Sequence, residues 1–463
     1  MSQAQISPAI PESRTAPVVE RIIGLSPLQR GMLFHALAAP DSPAYFEQIV
    51  CRLDGDVDPE RFRRALAALV RRHETLRSAF VTRGQSEPRQ VVFADATVPL
   101  TVEDWRARAA DARADALERF LDAQRGQGFR LNRPPLMRVA LIRETDVRWT
   151  LVWTHHHVII DGWSLPLLLK DFLALYANPA HAPRPPARFA DYVDWLGAQD
   201  RARDVAAWRM LLDGANLPMP LGIDRPARPG EDGKRMRALR AALPAADIAR
   251  LAATARVSVG TVLIGACALV LSRLSRADEA VFGLVLSGRT APVDGIEQMV
   301  GLLANTAPFR IGVPGARGVA DWLGDVQRGQ HGLQRLAHCA LPDVRDAAGV
   351  ASDRPLFECL VAVDNFPLQD ALETAGVGFR ISDVRQEEHT HLPLTLSFAP
   401  GPRQIAVKLG FDEARIDAHA AHGVLAALLH VARTFVEHAS AELRDIGLRP
   451  ASAAAHAAAA AAP

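Results

Sequence analysis

The sequence predicts an α/β fold in two similar lobes, on three observations. Apolar strand-like runs alternate with helix-period segments through both halves of the chain. Pro-rich stretches, Ala177 to Pro186 and Leu217 to Gly233, punctuate the middle. A length of 463 residues exceeds what one hydrophobic core ordinarily holds. The balance of 49% hydrophobic and 23% charged residues is that of an ordinary globular protein, and a net charge of +1 gives no reason to expect nucleic acid or an anionic membrane as main partner. Cys51, Cys267, Cys339 and Cys359 are far apart without metal or redox spacing, which fits small buried hydrophobes in a reduced, cytoplasmic setting. Met1 to Pro17 lacks the apolar core of a signal peptide, and no stretch is long and apolar enough to span a bilayer.

Taken in order, residues 1–19 read as a disordered leader. Ser26-Pro27 starts a helix, with Leu28, Met32, Leu33 and Leu37 at helical spacing. Tyr45 to Leu53 reads as a strand, and Asp58 caps a helix with Phe62, Leu66, Leu69 and Val70 on one face. Short strands are expected at Gln90 to Phe93 and Val98 to Val102, then a helix from Ala109 to Gln124. Paired strands follow at Pro134 to Ile142 and Trp149 to His157, then a helix from Ser164 to Tyr176. These complete a first lobe at 20–186. The second lobe, 187–450, opens with helical residues Phe189 to Leu212. It continues with helices at Ala245 to Ala255 and Ser258 to Leu274, and strands at Glu279 to Leu286, Leu356 to Asp364, Leu394 to Phe398 and Ile405 to Phe411. A last helix spans Asp417 to Glu437, and 451–463 is an alanine-rich tail or linker.

Three imidazoles, His155, His156 and His157, stand where a strand gives way to a helix, followed by Asp161 and Gly162. Strand alternation places His155 and His157 on one face and His156 on the other, and Gly162 allows a sharp bend. Zinc binding is one reading, but a further ligand at a recognisable spacing is missing. Imidazoles without chemistry are a second. Acid–base catalysis is the third, and context favours it: a strand end beside a helix N-terminus is where backbone N–H groups meet a developing oxyanion. There is no Gly-x-Ser-x-Gly elbow and no nucleophilic cysteine near a histidine, which points to direct transfer between two bound substrates.

The stretch His156-His157-Val158-Ile159-Ile160-Asp161-Gly162 resembles the HHxxxDG signature of nonribosomal peptide synthetase condensation domains, in the chloramphenicol-acetyltransferase-like superfamily. Ser26 to Leu33 resembles that family's first motif, Arg72 to Phe80 its second, Tyr192 to Trp195 its fourth and Val300 to Thr306 its fifth, all in the family's order. Traces of the sixth lie at His338 to Val344, and Ser352 to Phe357 is a loose seventh. The resemblance implies two acetyltransferase-like lobes in a V-shaped pseudo-dimer with a central tunnel. Donor and acceptor would enter it on phosphopantetheine arms of carrier proteins, and the domain would bind no cofactor of its own.

By the same resemblance, His157 deprotonates or positions the acceptor amine as it attacks the donor thioester. His157, Asp161 and Gly162 form the catalytic set, with Asp161 holding its loop through an ion pair to Arg289 and Gly162 a candidate oxyanion donor. Candidate substrate contacts are His156, Trp163, Ser164, Asn305 and Thr306, with packing the alternative for His156, as for His155, and capping of a strand the alternative for Asn305 and Thr306. His73 and Arg77 tie the second motif into the first lobe, and no metal ligand is assigned. Gln29 to His35 resembles subtypes that accept a donor ending in a D-residue, although Arg30 stands where those often carry an acid. Transfer to a soluble small-molecule amine or alcohol, and a non-catalytic recruitment module, are the alternative functions. Nothing resembles an adenylation core or a carrier serine motif, so the chain is either a free-standing enzyme or one domain of a larger synthetase.

Overall fold

The computed structural model describes residues 18–39, 42, 44–82, 87–181, 184–225, 236–364, 377–387, 390 and 392–449. The leader reading, apart from Val18 and Val19, and the tail reading both lie outside them.

The first half runs β1 (Val19–Ile23), α1 (Pro27–Ala38), β2 (Phe46–Gly55), α2 (Pro59–Arg72), β3 (Ser78–Val81), β4 (Arg89–Phe93), β5 (Leu100–Asp104), α3 (Ala110–Gln127), β6 (Met137–Arg143), β7 (Arg148–His156) and α4 (Ser164–Ala177). The caps act as the sequence suggests. Ser26 and Gln29 form a reciprocal capping box at α1. The Asp58 carboxylate accepts from the backbone N–H of Glu60 and Arg61 at the start of α2, a device worth about 1 kcal/mol. Phe62, Leu66, Leu69 and Val70 on α2 are buried, and α2 packs on α4 with the Phe62 and Phe172 rings 4.5 Å apart.

The second half runs α5 (Phe189–Gly197), α6 (Arg201–Leu212), β8 (Met236–Pro244), α7 (Ala245–Ala255), α8 (Val259–Ser275), β9 (Glu279–Leu286), β10 (Asn305–Gly312), α9 (Val319–Gln334), α10 (Leu341–Ala347), β11 (Cys359–Val363), β12 (Phe379–Glu387), β13 (Leu394–Pro400), β14 (Gln404–Asp412) and α11 (Ala418–Glu437). Its sheet has the order β10-β9-β11-β13-β14-β8. The α8 helix is buried on nearly every face because it lies between that sheet and α11, which explains its uninterrupted apolar sequence. No single helix among the described residues is long and apolar enough to cross a membrane.

The first-half sheet, β12-β2-β7-β6-β5, contains a strand from the second half: β12 pairs antiparallel with β2, with Phe379 opposite Gly55 and Glu387 opposite Gln48. The lobes therefore do not part cleanly at residue 186, since each half contributes strands to the first sheet. β1, β8, α9, α10 and β12 are elements the sequence reading did not anticipate. β8 sets Arg237 and Arg240 among alanines and β12 carries Arg380, Asp383, Arg385 and Glu387, so neither keeps the apolar alternation that marks a half-buried strand.

Candidate active site

β7 delivers the three histidines. It ends at His156, and the next backbone N–H, that of His157, donates to the Tyr45 carbonyl at 2.8 Å, holding the turn against the start of β2. His157 Nδ1 lies 2.6 Å from the Ile160 carbonyl oxygen. A carbonyl only accepts, so Nδ1 carries the proton and Nε2 is the ring atom that can receive one. The first motif reaches the same loop, because Gln29 Nε2 donates to the Val158 carbonyl at 2.9 Å and to Gln90 Oε1 at 2.9 Å.

The alternation of faces is as expected. His155 Nε2 is 3.1 Å and His157 Nε2 3.5 Å from the Glu47 carboxylate, while the His156 ring sits beside Tyr45 with Nδ1 accepting from the Val158 N–H at 3.1 Å. Three rings divided between two faces are not metal-ligand geometry. Among the described residues only Asp204, His338 and Cys339 gather closely enough to hold an ion, and there His338 Nε2 and Asp204 Oδ2 already meet directly at 2.6 Å.

Burial pushes the His156 imidazole down to about 3, reinforced by charge on His157 and His155 and opposed by Glu47. His156 is therefore a neutral packing group, a correction to its reading as a substrate contact. An unfolded chain takes up this proton first as the pH drops. The contribution of His156 is thus complete above its ordinary value of 6.5 and is lost progressively towards about 3. Urea unfolding midpoints are expected to fall across that window, and less steeply in His156→Asn; equal slopes would count against the assignment.

Asp161 and Arg289 form the expected buried pair. Arg289 Nη1 donates to Asp161 Oδ2 at 2.8 Å and Nη2 to Oδ1 at 3.2 Å, with the side chains 5% and 1% exposed. The same carboxylate accepts from the N–H groups of Leu303 (3.0 Å), Ala304 (3.1 Å) and Ser164 (3.0 Å), and from Ser164 Oγ at 2.9 Å. Its lone pairs are filled by the protein itself, so Asp161 is a structural clamp and leaves the catalytic set. It joins the histidine loop to the fifth motif, which Tyr192 also holds by donating to the Leu303 carbonyl at 3.2 Å. Gly288 beside Arg289 adopts φ +70, and a Cβ there would lie 2.0 Å from the Leu303 carbonyl oxygen. Only glycine fits that close approach.

Ser164, Asn305 and Arg77 also spend their polar contacts inside the protein. Ser164 is fully buried within the clamp, and its hydroxyl also accepts from the Gly301 N–H at 3.0 Å, so it does not face a substrate. Asn305 donates from Nδ2 to the carbonyls of Ala337 and Cys339, both at 2.7 Å, a strand-anchoring role. Arg77 reaches Glu20 and the Phe93 carbonyl. It ties β3 to β1 and β4, which matches its structural reading but places it away from the histidines. His73 meets Asp171 of α4 at 2.9 Å, bracing the helix that follows the loop.

Trp163 remains beside the site, half-buried, with the Arg289 guanidinium 5.9 Å from its ring centroid. Thr306 is buried on β10 opposite Val285. Gly162 does not take a positive φ, so the bend after Asp161 is made without left-handed backbone. A cleft of about 640 Å³ lined by Arg21, Arg89, Arg188, Asp191 and Asp194 does not include the histidines.

Glu47 is the residue the sequence reading missed. It stands opposite His155 across the β2–β7 pairing and its side chain is 4% exposed. Burial opposes its ionisation, but charge on His157, then the close contact and charge of His155, then Lys408 of β14, outweigh it and hold the carboxyl down to about 2. The available signal was an acid inside the Tyr45 to Leu53 strand, whose neighbours are largely apolar.

Two α/β lobes, with a histidine at a strand end clamped to the second half through Asp161–Arg289, have the two-lobe chloramphenicol-acetyltransferase-like fold. The comparisons make the family specific. Residues 19–456 match the family described as Condensation domain. The chain is 32% identical to bacitracin synthase 1 of Bacillus licheniformis over 95% of its own length, and 32% identical to bacitracin synthase 3 of the same organism over 92%. It spans about 8% of the length of the first of these relatives and about 7% of the second. It shares its fold with the first condensation domain of the calcium-dependent antibiotic synthetase, solved with a substrate analogue, at a TM-score of 0.77 and 19% identity, covering 93% of this chain and 100% of that one. The chain belongs to the condensation domain family of nonribosomal peptide synthetases. Peptide-bond formation is that family's general function, and its members carry no cofactor of their own.

Proposed function

We propose that this chain forms an amide bond between a donor acyl or peptidyl thioester and an acceptor amine, both delivered on carrier-protein arms. The carrying observation is the Nδ1 contact of His157 to the Ile160 carbonyl at 2.6 Å, which leaves Nε2 as the proton-accepting atom. The amine nitrogen attacks the thioester carbonyl, the C–N bond forms and the C–S bond breaks. The donor arm leaves as a thiolate, which takes up a proton that the nitrogen surrenders. His157 Nε2 is the relay for that proton, while Asp161 and Arg289 keep its loop in register with the fifth motif. Partners are then a donor and an acceptor carrier domain, and a cytoplasmic setting accords with four free thiols.

Reconstitution tests this reading. With an acyl-loaded donor carrier, product is expected on a loaded acceptor carrier and little from the same amine free in solution. Equal turnover of the free amine would replace the carrier reading with transfer to a soluble acceptor, and no product from any donor would leave a recruitment module.

A further inference from the structure

The Glu47 carboxylate is buried between two imidazoles of the histidine stretch, and nothing in the mechanism above uses it. Strand pairing sets it there: Glu47 is directly opposite His155, and His157 follows two residues later, just past the end of β7, with its ring also turned to Glu47. Oε2 lies 3.1 Å from His155 Nε2, a close contact without hydrogen-bond alignment, and accepts from Gln386 Nε2 of β12 at 3.5 Å. Oε1 is turned to His157 Nε2 at 3.5 Å. The carboxylate is thus placed from one side by His155 and Gln386 and aimed at the proton-accepting nitrogen.

We propose that Glu47 is a positioning residue for the condensation reaction, a fixed negative charge that makes His157 a base able to take a proton from an acceptor presented as an ammonium ion. The inference rests on the reading of His157 given above and selects the base role over simple orientation of the amine. An opposite charge within about 4–6 Å favours the charged form of a titrating group, and the low-dielectric surroundings of Glu47 strengthen the effect. An α-ammonium predominates below a pH of about 8, so a site that only orients a neutral amine would use a minor fraction of its substrate.

The proton balance is complete. The ammonium gives one proton to Nε2, forming an imidazolium beside Glu47, and the freed amine attacks the thioester carbon. As the C–S bond breaks, the nitrogen loses its second proton. One of the two protons ends on the departing thiol and the other in solvent.

The charged and titratable groups facing Glu47 among the described residues are His155 and His157 of the β7 end and Lys408 of β14. Gln386 from β12 is uncharged, and His156 lies on the opposite face. Glu47→Gln keeps shape and removes the charge, and Glu47→Asp keeps the charge.

Two readouts are taken on the intact chain. In single-turnover condensation against pH, Glu47→Gln is expected to lower the plateau by about ten- to a hundred-fold, part of what a general base supplies, and to move the acidic limb to lower pH. Glu47→Asp is expected to retain the limb. The second readout needs no activity: the His157 ring signal, followed by NMR on histidine-labelled protein, should titrate at lower pH in Glu47→Gln than in wild type. An unshifted His157 titration overturns the proposal even where rates fall. Absence of amide product in wild type, with the titration shifted as expected, would overturn the functional reading and leave the role of Glu47 standing. Should Glu47→Gln fail to fold, an acidic limb in Glu47→Asp that coincides with the titration of His157 supports the proposal, and one that does not overturns it.

Discussion

Alanine in place of His157 lowers the rate of amide formation by about a hundred- to ten-thousand-fold, the range a positioned general base supplies, while the chain stays folded. The fold should survive because the His157 side chain, 16% exposed, is the least buried of the three histidine side chains. Its main anchor is a backbone one, the N–H donated to the Tyr45 carbonyl, and alanine keeps it. The side-chain bond that disappears, Nδ1 to the Ile160 carbonyl, leaves a carbonyl on a buried loop short of that donor, at a cost of about 1–3 kcal/mol that lowers stability without abolishing the fold. Single-turnover rates together with urea unfolding separate the two effects. A rate within a few-fold of wild type would remove His157 from the chemistry, and loss of folding would make it structural. His156→Asn supplies the contrast, since its neutral buried ring serves packing and its replacement should show in stability first.

Loss of Arg289 has the largest expected effect on stability. Arg289→Ala leaves the Asp161 carboxylate inside the protein without its counter-charge, and breaking a buried pair in this way costs about 3–5 kcal/mol. The remaining donors, the N–H groups of Ser164, Leu303 and Ala304, soften the cost without cancelling it. Because the same carboxylate joins the histidine loop to the fifth motif, activity should fall with stability. The double variant Asp161→Asn/Arg289→Ala removes both charges and is expected to recover part of the stability, the sign of a coupled pair. Equilibrium urea unfolding of wild type, both single variants and the double variant measures this. A cost below about 1 kcal/mol for Arg289→Ala would place the pair with solvent-exposed ion pairs, contrary to its burial.

Local signals carried most of the fold. Ser26, Asp58 and Asp417 each cap the helix that the sequence assigns to them, and the apolar period of α2 reports which of its residues are inside. β12 was hidden for a physical reason: its contacts are with β2, more than three hundred residues earlier, and its own composition is polar. The Asp161–Arg289 pair was legible only through resemblance, because no local rule joins residues 128 positions apart. Ser164 and Asn305 were misplaced for the same reason, since both spend their hydrogen bonds on distant backbone, at Gly301 and at Ala337 and Cys339. Glu47 was visible as an acid in a strand, but its significance lies in the register that sets it against His155.

Intact-mass spectrometry of the acceptor carrier after one turnover tests most directly whether His157 joins a carrier-bound donor to a carrier-bound amine. With wild-type protein, the loaded acceptor carrier should gain the mass of the donor acyl group while the donor carrier reverts to its free thiol. With His157→Ala, both carriers should keep their starting masses over the same interval. An equal mass gain with the two proteins, or a donor carrier that empties while the acceptor gains nothing, would contradict it.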